Sequence, residues 1–248
     1  MVTQTLGVEI NHAYLQYQTN TIATLANVNM SVPAGCWTVL LGRSGSGKTT
    51  LLRYLAGLLG DSVTIKGEIR SSDGQPFAQR IAYMAQQDLL LPWLNVLDNV
   101  CLSAKFGSTA QPKMQAQALL DQVGLGQYAN AMPDQLSGGM RQRVALARTL
   151  MQDKPLVLMD EPFSALDAVT RHKLQGLAAN LLANKTVILI THDPQEAVRL
   201  AEQLYVLQGT PAHAIKLNVP NTLPPRNLDA ECAALQQAIL QQLEHDYD

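Results

Sequence analysis

The sequence predicts an α/β protein with a mostly parallel sheet, and three observations point that way. Four short apolar runs, Trp37–Leu41, Leu156–Met159, Val187–Ile190 and Leu204–Leu207, are continuous rather than alternating, as strands covered on both faces require. Helix-period segments lie between them, such as the stripe Met140, Val144, Ala147 and Met151. The first apolar run leads directly into a glycine-rich turn and an amphipathic stretch, GRSGSGKTTLLRYLAGL, from Gly42 to Leu58. With 248 residues, 47% hydrophobic and 15% charged, the chain has enough apolar material for one domain or two closely joined ones.

Taken in order, the first thirty or so residues differ from the core pattern. Val28, Met30 and Val32 alternate with polar residues up to a Pro33-Ala34-Gly35 turn, which predicts half-exposed antiparallel strands, and Val63, Ile65 and Ile69 around Lys66-Gly67 repeat the pattern. The middle of the chain, about residues 88–135, is helix-prone through Met114, Ala118 and Val123 and reads as a helical insertion. After Gly209 a proline-rich tail runs to Pro225. Asp229 is then placed as the N-cap of a closing helix with Leu235, Ile239 and Leu243 on one face.

Composition narrows the function. A net charge of −2 supplies no general attraction to nucleic acid or to an anionic membrane surface, so no nucleic-acid partner is expected. The three cysteines, Cys36, Cys101 and Cys232, lack zinc-site spacing and are odd in number, which fits a reducing cytoplasm. The start, MVTQTLGVEINHAY, lacks the pattern of a secretory signal, and no apolar run reaches membrane-spanning length. At a membrane, another chain would have to hold this one.

Gly42 to Thr49 fits GxxxxGK[ST] between a strand and a helix, the context that gives the motif its meaning. Side chains at Gly42, Gly45 and Gly47 would obstruct a polyphosphate. The backbone of Arg43, Ser44 and Ser46 is free to aim N–H groups at it, and the helix behind adds partial positive charge. Lys48 is expected on the β- and γ-phosphates, the Thr49 hydroxyl on Mg2+, and Thr50 on a phosphate oxygen. The motif alone indicates a P-loop nucleotide-binding protein.

Two carboxylates, Asp160 and Glu161, end the buried run LVLMDEP, at the sheet edge where α/β ligands bind. Asp160 is assigned to Mg2+ and Glu161 to polarising a water for attack on the γ-phosphate; a solvated strand-end pair is the bland alternative. His192, in LITHD, stands at the same edge and is read as a γ-phosphate contact rather than a surface histidine. Ser137, Gly138 and Gly139 open an amphipathic helix in LSGGMRQRVALARTL, a second anion-seeking helix mouth. One nucleotide already has one cradle, so this mouth is read as acting on another subunit's nucleotide, although an ordinary glycine-rich helix start has the same look.

LSGGMRQR resembles the signature of ABC-transporter ATP-binding subunits, and the other motifs follow in that family's order from Val8 to about Gly209. GRSGSGKT resembles the Walker A loop, LVLMDE the Walker B strand, Ser164–Asp167 (SALD) the D-loop, and Thr191–Asp193 (THD) the switch histidine. The resemblance implies a P-loop NTPase core, an N-terminal antiparallel β subdomain and a helical signature subdomain. Residues 1–210 would form the cassette and 211–248 a short tail. It also implies that Tyr17 stacks on adenine, with Tyr14 as competitor, and that Gln86 reaches Mg2+ and the attacking water, with Gln87 one residue out of register. Asp167 is carried over as a nucleotide-site residue of the D-loop. Arg43 stands where many relatives have proline, and Met140 where the signature often has glutamine.

By the same resemblance, two copies would enclose two ATP molecules head to tail, each bound by one copy's P-loop and the other's Ser137–Gly139. Transmembrane permease subunits would hold the pair at the cytoplasmic face of the inner membrane, and a solute-binding protein would deliver cargo outside. Leu89, Leu90, Leu91, Pro92 and Trp93 are read either as part of the permease groove or as packing of the insertion. The LLPW segment and the run DEPFSALDAVTR resemble importers of nitrate, taurine, aliphatic sulfonates and the hydroxymethylpyrimidine precursor of thiamine, with the lean toward the last. A soluble ABC ATPase of DNA repair or translation is the rival class. It is disfavoured because neither a long coiled-coil insertion nor a second cassette is present. His213 and the terminal HDYD are assigned no function and read as solvated.

Overall fold

The computed structural model describes residues 5–102 and 112–244, which form two sheets with helices packed against the larger. Strands β1 (Val8–Tyr17), β2 (Leu25–Val32) and β4 (Val63–Ser71) make an antiparallel sheet in the order β2-β1-β4. Val28, Met30 and Val32 point inward from β2, as their alternation predicts. Val63, Ile65 and Ile69 share the single strand β4, which runs through Lys66 and Gly67. The register with β1 slips between Asn11 and Tyr14, and Gly67 sits at φ +90° opposite His12. A Cβ there would stand 2.4 Å from the His12 carbonyl oxygen. Gly67→Ala is therefore expected to cost about 2–3 kcal/mol in a denaturant titration.

The larger sheet runs β5-β6-β7-β3-β8-β9: Ile81–Met84, Leu156–Asp160, Thr186–Thr191, Trp37–Gly42, Gln203–Gln208 and His213–Leu217. The first five are parallel and β9 is antiparallel to β8. All four apolar runs are strands. Each splits its side chains between two cores. Val39, Leu41, Val157, Met159, Val187 and Leu189 face the helical side, whereas Leu40, Leu158, Ile188 and Ile190 face the antiparallel sheet and helix α1 (Lys48–Leu55).

Two strands escape the apolar-run criterion. β5 is four residues long with half-exposed positions, and β9 is an edge strand with no buried residue in the sequence HAIKL. Because β9 pairs with β8, the boundary expected at residue 210 cuts a hairpin of the main sheet. His213 is exposed on it, while HDYD lies outside the described residues. Asp229 does cap α7 (Ala230–Glu244), accepting the Cys232 N–H at 2.8 Å, and Ile239 is buried against the main core with Leu235 and Leu243 beside it.

Between β5 and β6 lie α2 (Val96–Val100), α3 (Pro112–Gln122), two short 3-10 turns and α4 (Gly138–Leu150), with no strand among the described residues there. α4 buries Val144 and Ala147. α3 buries Ala116 and Leu120, which leaves Met114 and Ala118 on the solvent side of the same helical period. α5 (Ala168–Leu181) and α6 (Pro194–Leu200) complete the helical layer, and no helix among the described residues is long and apolar enough to cross a membrane. None of the three cysteines is in a disulfide.

Candidate active site

The turn between β3 and α1 is shaped for a polyanion. Gly47 has φ +93°, and a Cβ on it would meet Leu25 and Thr24 side chains at 2.7 and 2.8 Å, so α1 can begin here only with glycine. Lys48 is buried and folds back over the loop, donating to the Gly42 and Arg43 carbonyls at 2.7 and 2.8 Å. Burial pushes its amine below the ordinary lysine range, against the pull of Glu161 and Asp160. The Ser46 hydroxyl is buried without a partner. A cleft of about 380 Å³ opens above the loop, lined by Ser44, Gly45, Gly47, Lys48, Thr49 and Thr50 on one side and by Tyr17, Asn20, Thr24, Gln86 and Glu161 around it. Buried lysine, unpartnered hydroxyl and backbone cradle together fit a triphosphate.

At the end of β6, Asp160 and Glu161 part company. Asp160 is buried and accepts the Thr49 hydroxyl at 3.1 Å, and burial raises its pKa above the usual carboxylate range. A buried carboxylate next to a hydroxyl supplies the oxygen donors that a hard divalent cation takes. Glu161 adopts φ +49°, a conformation rare outside glycine, which turns the chain out of the sheet and swings its carboxylate into the cleft. Two partners converge on its Oε2: Gln86 Nε2 at 3.2 Å and His192 Nδ1 at 3.0 Å. Three residues from three strand ends thus meet at one oxygen.

Tyr17 lines the cleft with its hydroxyl 3.2 Å from Thr50 Oγ1, whereas the Tyr14 ring lies under Lys66 and its hydroxyl donates to Gln16. Gln86, not Gln87, reaches Glu161. Arg43 contributes its carbonyl to Lys48, while its guanidinium reaches Thr210 Oγ1 at 3.3 Å. Other expected residues stand apart from this cleft. Asp167 caps α5, accepting the Val169 and Thr170 N–H groups. Ser137, Gly138 and Gly139 form the mouth of α4, where the Ser137 hydroxyl accepts the Met140 N–H at 3.3 Å and a Cβ on Gly139 would touch Leu166 of the SALD segment.

A sequence profile described as ABC transporter matches residues 25–164, more than half of the chain, and spans both the P-loop and the LSGG helix mouth. The chain belongs to the ABC transporter family. An ABC transporter ATP-binding protein of Haemophilus influenzae is 45% identical over 88% of this chain and 91% of its own length. Aliphatic sulfonates import ATP-binding proteins of Paracoccus denitrificans and Xanthomonas axonopodis are 42% and 41% identical, covering 84% and 94% of the chain and 83% and 93% of their own lengths. A dimeric ATP-binding cassette solved in a post-hydrolysis state with ADP and phosphate superposes with a TM-score of 0.73 at 30% identity, over 89% of this chain and all of that one. The protein is an ATP-binding, ATP-hydrolysing ABC cassette.

Several residues of this ABC cassette that matter to the site's architecture were not singled out from sequence. Arg141 on α4 pairs with Asp88 at 3.0 Å, and Arg148, two turns further along the same helix, donates to the Asp88 and Leu89 carbonyls. The segment that follows Gln86 is thereby tied to the helix headed by Ser137. Asn99 is fully buried and holds the next stretch by bonding Leu91, Leu94 and Asn95 backbone groups. The seven-residue spacing of the two arginines was the available signal, but nothing in the sequence shows that their partner lies about fifty residues upstream.

Proposed function

We propose that this cassette hydrolyses ATP to drive a bacterial importer of a small anionic solute, an aliphatic sulfonate. The observation that carries the ATPase reading is the meeting of Gln86, Glu161 and His192 at the mouth of the P-loop cleft. In it, Glu161 orients a water toward the γ-phosphorus, Gln86 and His192 fix the carboxylate, and Lys48 with the loop amides takes up charge on the phosphate oxygens. Asp160, Thr49 and Gln86 would hold Mg2+, which when bound neutralises phosphate charge. Tyr17 supplies a flat face for adenine.

Two copies of the chain complete each other's sites. In support, Ser137–Gly139 and Asp167 lie outside the chain's own cleft, and the superposing cassettes are described as dimeric. Permease subunits hold the pair at the cytoplasmic face of the membrane. Trp93, 70% exposed, and Leu89, 57% exposed, offer apolar surface beside the Gln86 segment, which supports the groove reading over internal packing. Trp93→Glu is expected to abolish solute uptake while ATP turnover of the isolated cassette stays within about twofold, because an exposed side chain adds little to folding; loss of folding would return the cluster to the packing role.

The names of the relatives favour an aliphatic sulfonate, a class that includes taurine, over the pyrimidine precursor or nitrate. The test is which molecule the cognate solute-binding protein retains, together with uptake of labelled sulfonate by cells with and without the cassette. Retention of the pyrimidine instead would replace the solute and leave the ATPase reading standing.

A further inference from the structure

The turn that carries His192 is held from beneath by a buried carboxylate that the catalytic reading does not use. Glu196 on α6 is 5% exposed, and its Oε1 accepts the Gln175 Nε2 of α5 at 3.1 Å. The Thr191 side chain at the end of β7 favours the ionised form of the same carboxylate, and Thr191 Oγ1 accepts the Asp193 N–H at 3.0 Å. Asp193 caps α6 and pairs with Arg171 of α5 at 3.3 Å. His192 is the residue between these two anchored neighbours, and its ring reaches Glu161.

A glutamate three residues into a helix ordinarily reaches back to the N–H of the capping residue. Here Asp193 gives that N–H to Thr191, so Glu196 is left to span from α5 to the end of β7. Burial pushes its carboxyl up to about 7, opposed by the Thr191 and Gln175 bonds, which both serve the ionised form. A buried carboxylate is an expensive way to fill space between a strand and a helix, since an apolar residue there would need no partners. Gln175 belongs to α5, and Thr191 is the last residue of β7, directly before His192.

We infer that Glu196 is a positioning residue for His192, fixing the Thr191 hydroxyl and through it the peptide path that aims the imidazole at Glu161. The inference rests on the role proposed for His192. Loss of the brace lets the ring wander from its partner by a fraction of an ångström or more, which lowers the rate of the chemical step without touching the P-loop.

The test uses the full-length cassette at about pH 8, where the carboxyl is ionised. Glu196→Gln, and independently Thr191→Val, are expected to lower kcat about tenfold or more with the ATP KM within about twofold. The ring resonance of His192, identified by its loss in His192→Ala, is expected to move in both variants, and Thr191→Ser is expected to restore both readouts. An unmoved resonance overturns the inference even if the rate falls, because the effect is then merely structural. An unchanged kcat overturns it too. Unchanged turnover in His192→Ala itself would instead remove the role of His192, and the resonance would then still show whether Glu196 braces the turn. Should Glu196→Gln fail to fold, Thr191→Val leaves the buried carboxyl in place and decides the matter.

Discussion

Glu161→Gln is expected to lower steady-state ATP turnover by at least about a hundredfold while ATP still binds. The amide keeps the shape of the side chain and can still accept from Gln86 or His192, so the cleft survives. What it loses is the negative charge that orients and polarises a water. Lys48, Thr49 and the loop amides do not depend on that charge and should retain the triphosphate, which leaves an ATP-bound dimer that does not dissociate. Equilibrium nucleotide binding, turnover and gel filtration in ATP check the three parts separately. Full turnover in the variant would rule out the assignment of Glu161.

The second large effect comes from residues remote from the chain's own cleft. Replacing Ser137 and Gly138 by glutamate is expected to reduce turnover about a hundredfold or more, because carboxylates at the α4 mouth would repel the triphosphate that the mouth should help bind. A mixing experiment separates action across two chains from damage within one. A Lys48→Ala chain and a Ser137→Glu/Gly138→Glu chain are each inactive alone. In their heterodimer one site joins an intact P-loop to an intact α4 mouth, so measurable turnover should return. If mixing restores nothing, the two-chain site is wrong.

Most of the sheet was legible because β3, β6, β7 and β8 are buried on both faces and therefore carry unbroken apolar runs. β9 was not, because an edge strand needs no such run, and its place depends on pairing with β8 rather than on its own composition. The phosphate loop was legible for a different reason: its chemistry is local, with Gly47, Lys48 and Thr49 adjacent in the chain. The meeting of Gln86, Glu161 and His192 is a property of three strand ends brought side by side by sheet order, and sequence supplied the residues but not their convergence on one oxygen. The Glu196 network and the Arg148 anchor are farther still from any local pattern. Each depends on which helix packs over which strand.

The clamp of Arg141 and Arg148 on Asp88 and Leu89 has a mechanical consequence. α4 has 13 residues and is thus about 20 Å long. Arg148 fastens Leu89 near one end of this rod, while Arg141 grips Asp88 about one turn from Ser137 at the other. A tilt of about 5° imposed at Leu89 would carry the far tip through roughly 1.7 Å for a rod of that length, more than half the length of a hydrogen bond. If the proposed two-chain site holds, a modest push on the outer surface would be geared up into making or breaking contact with a phosphate on the opposite chain.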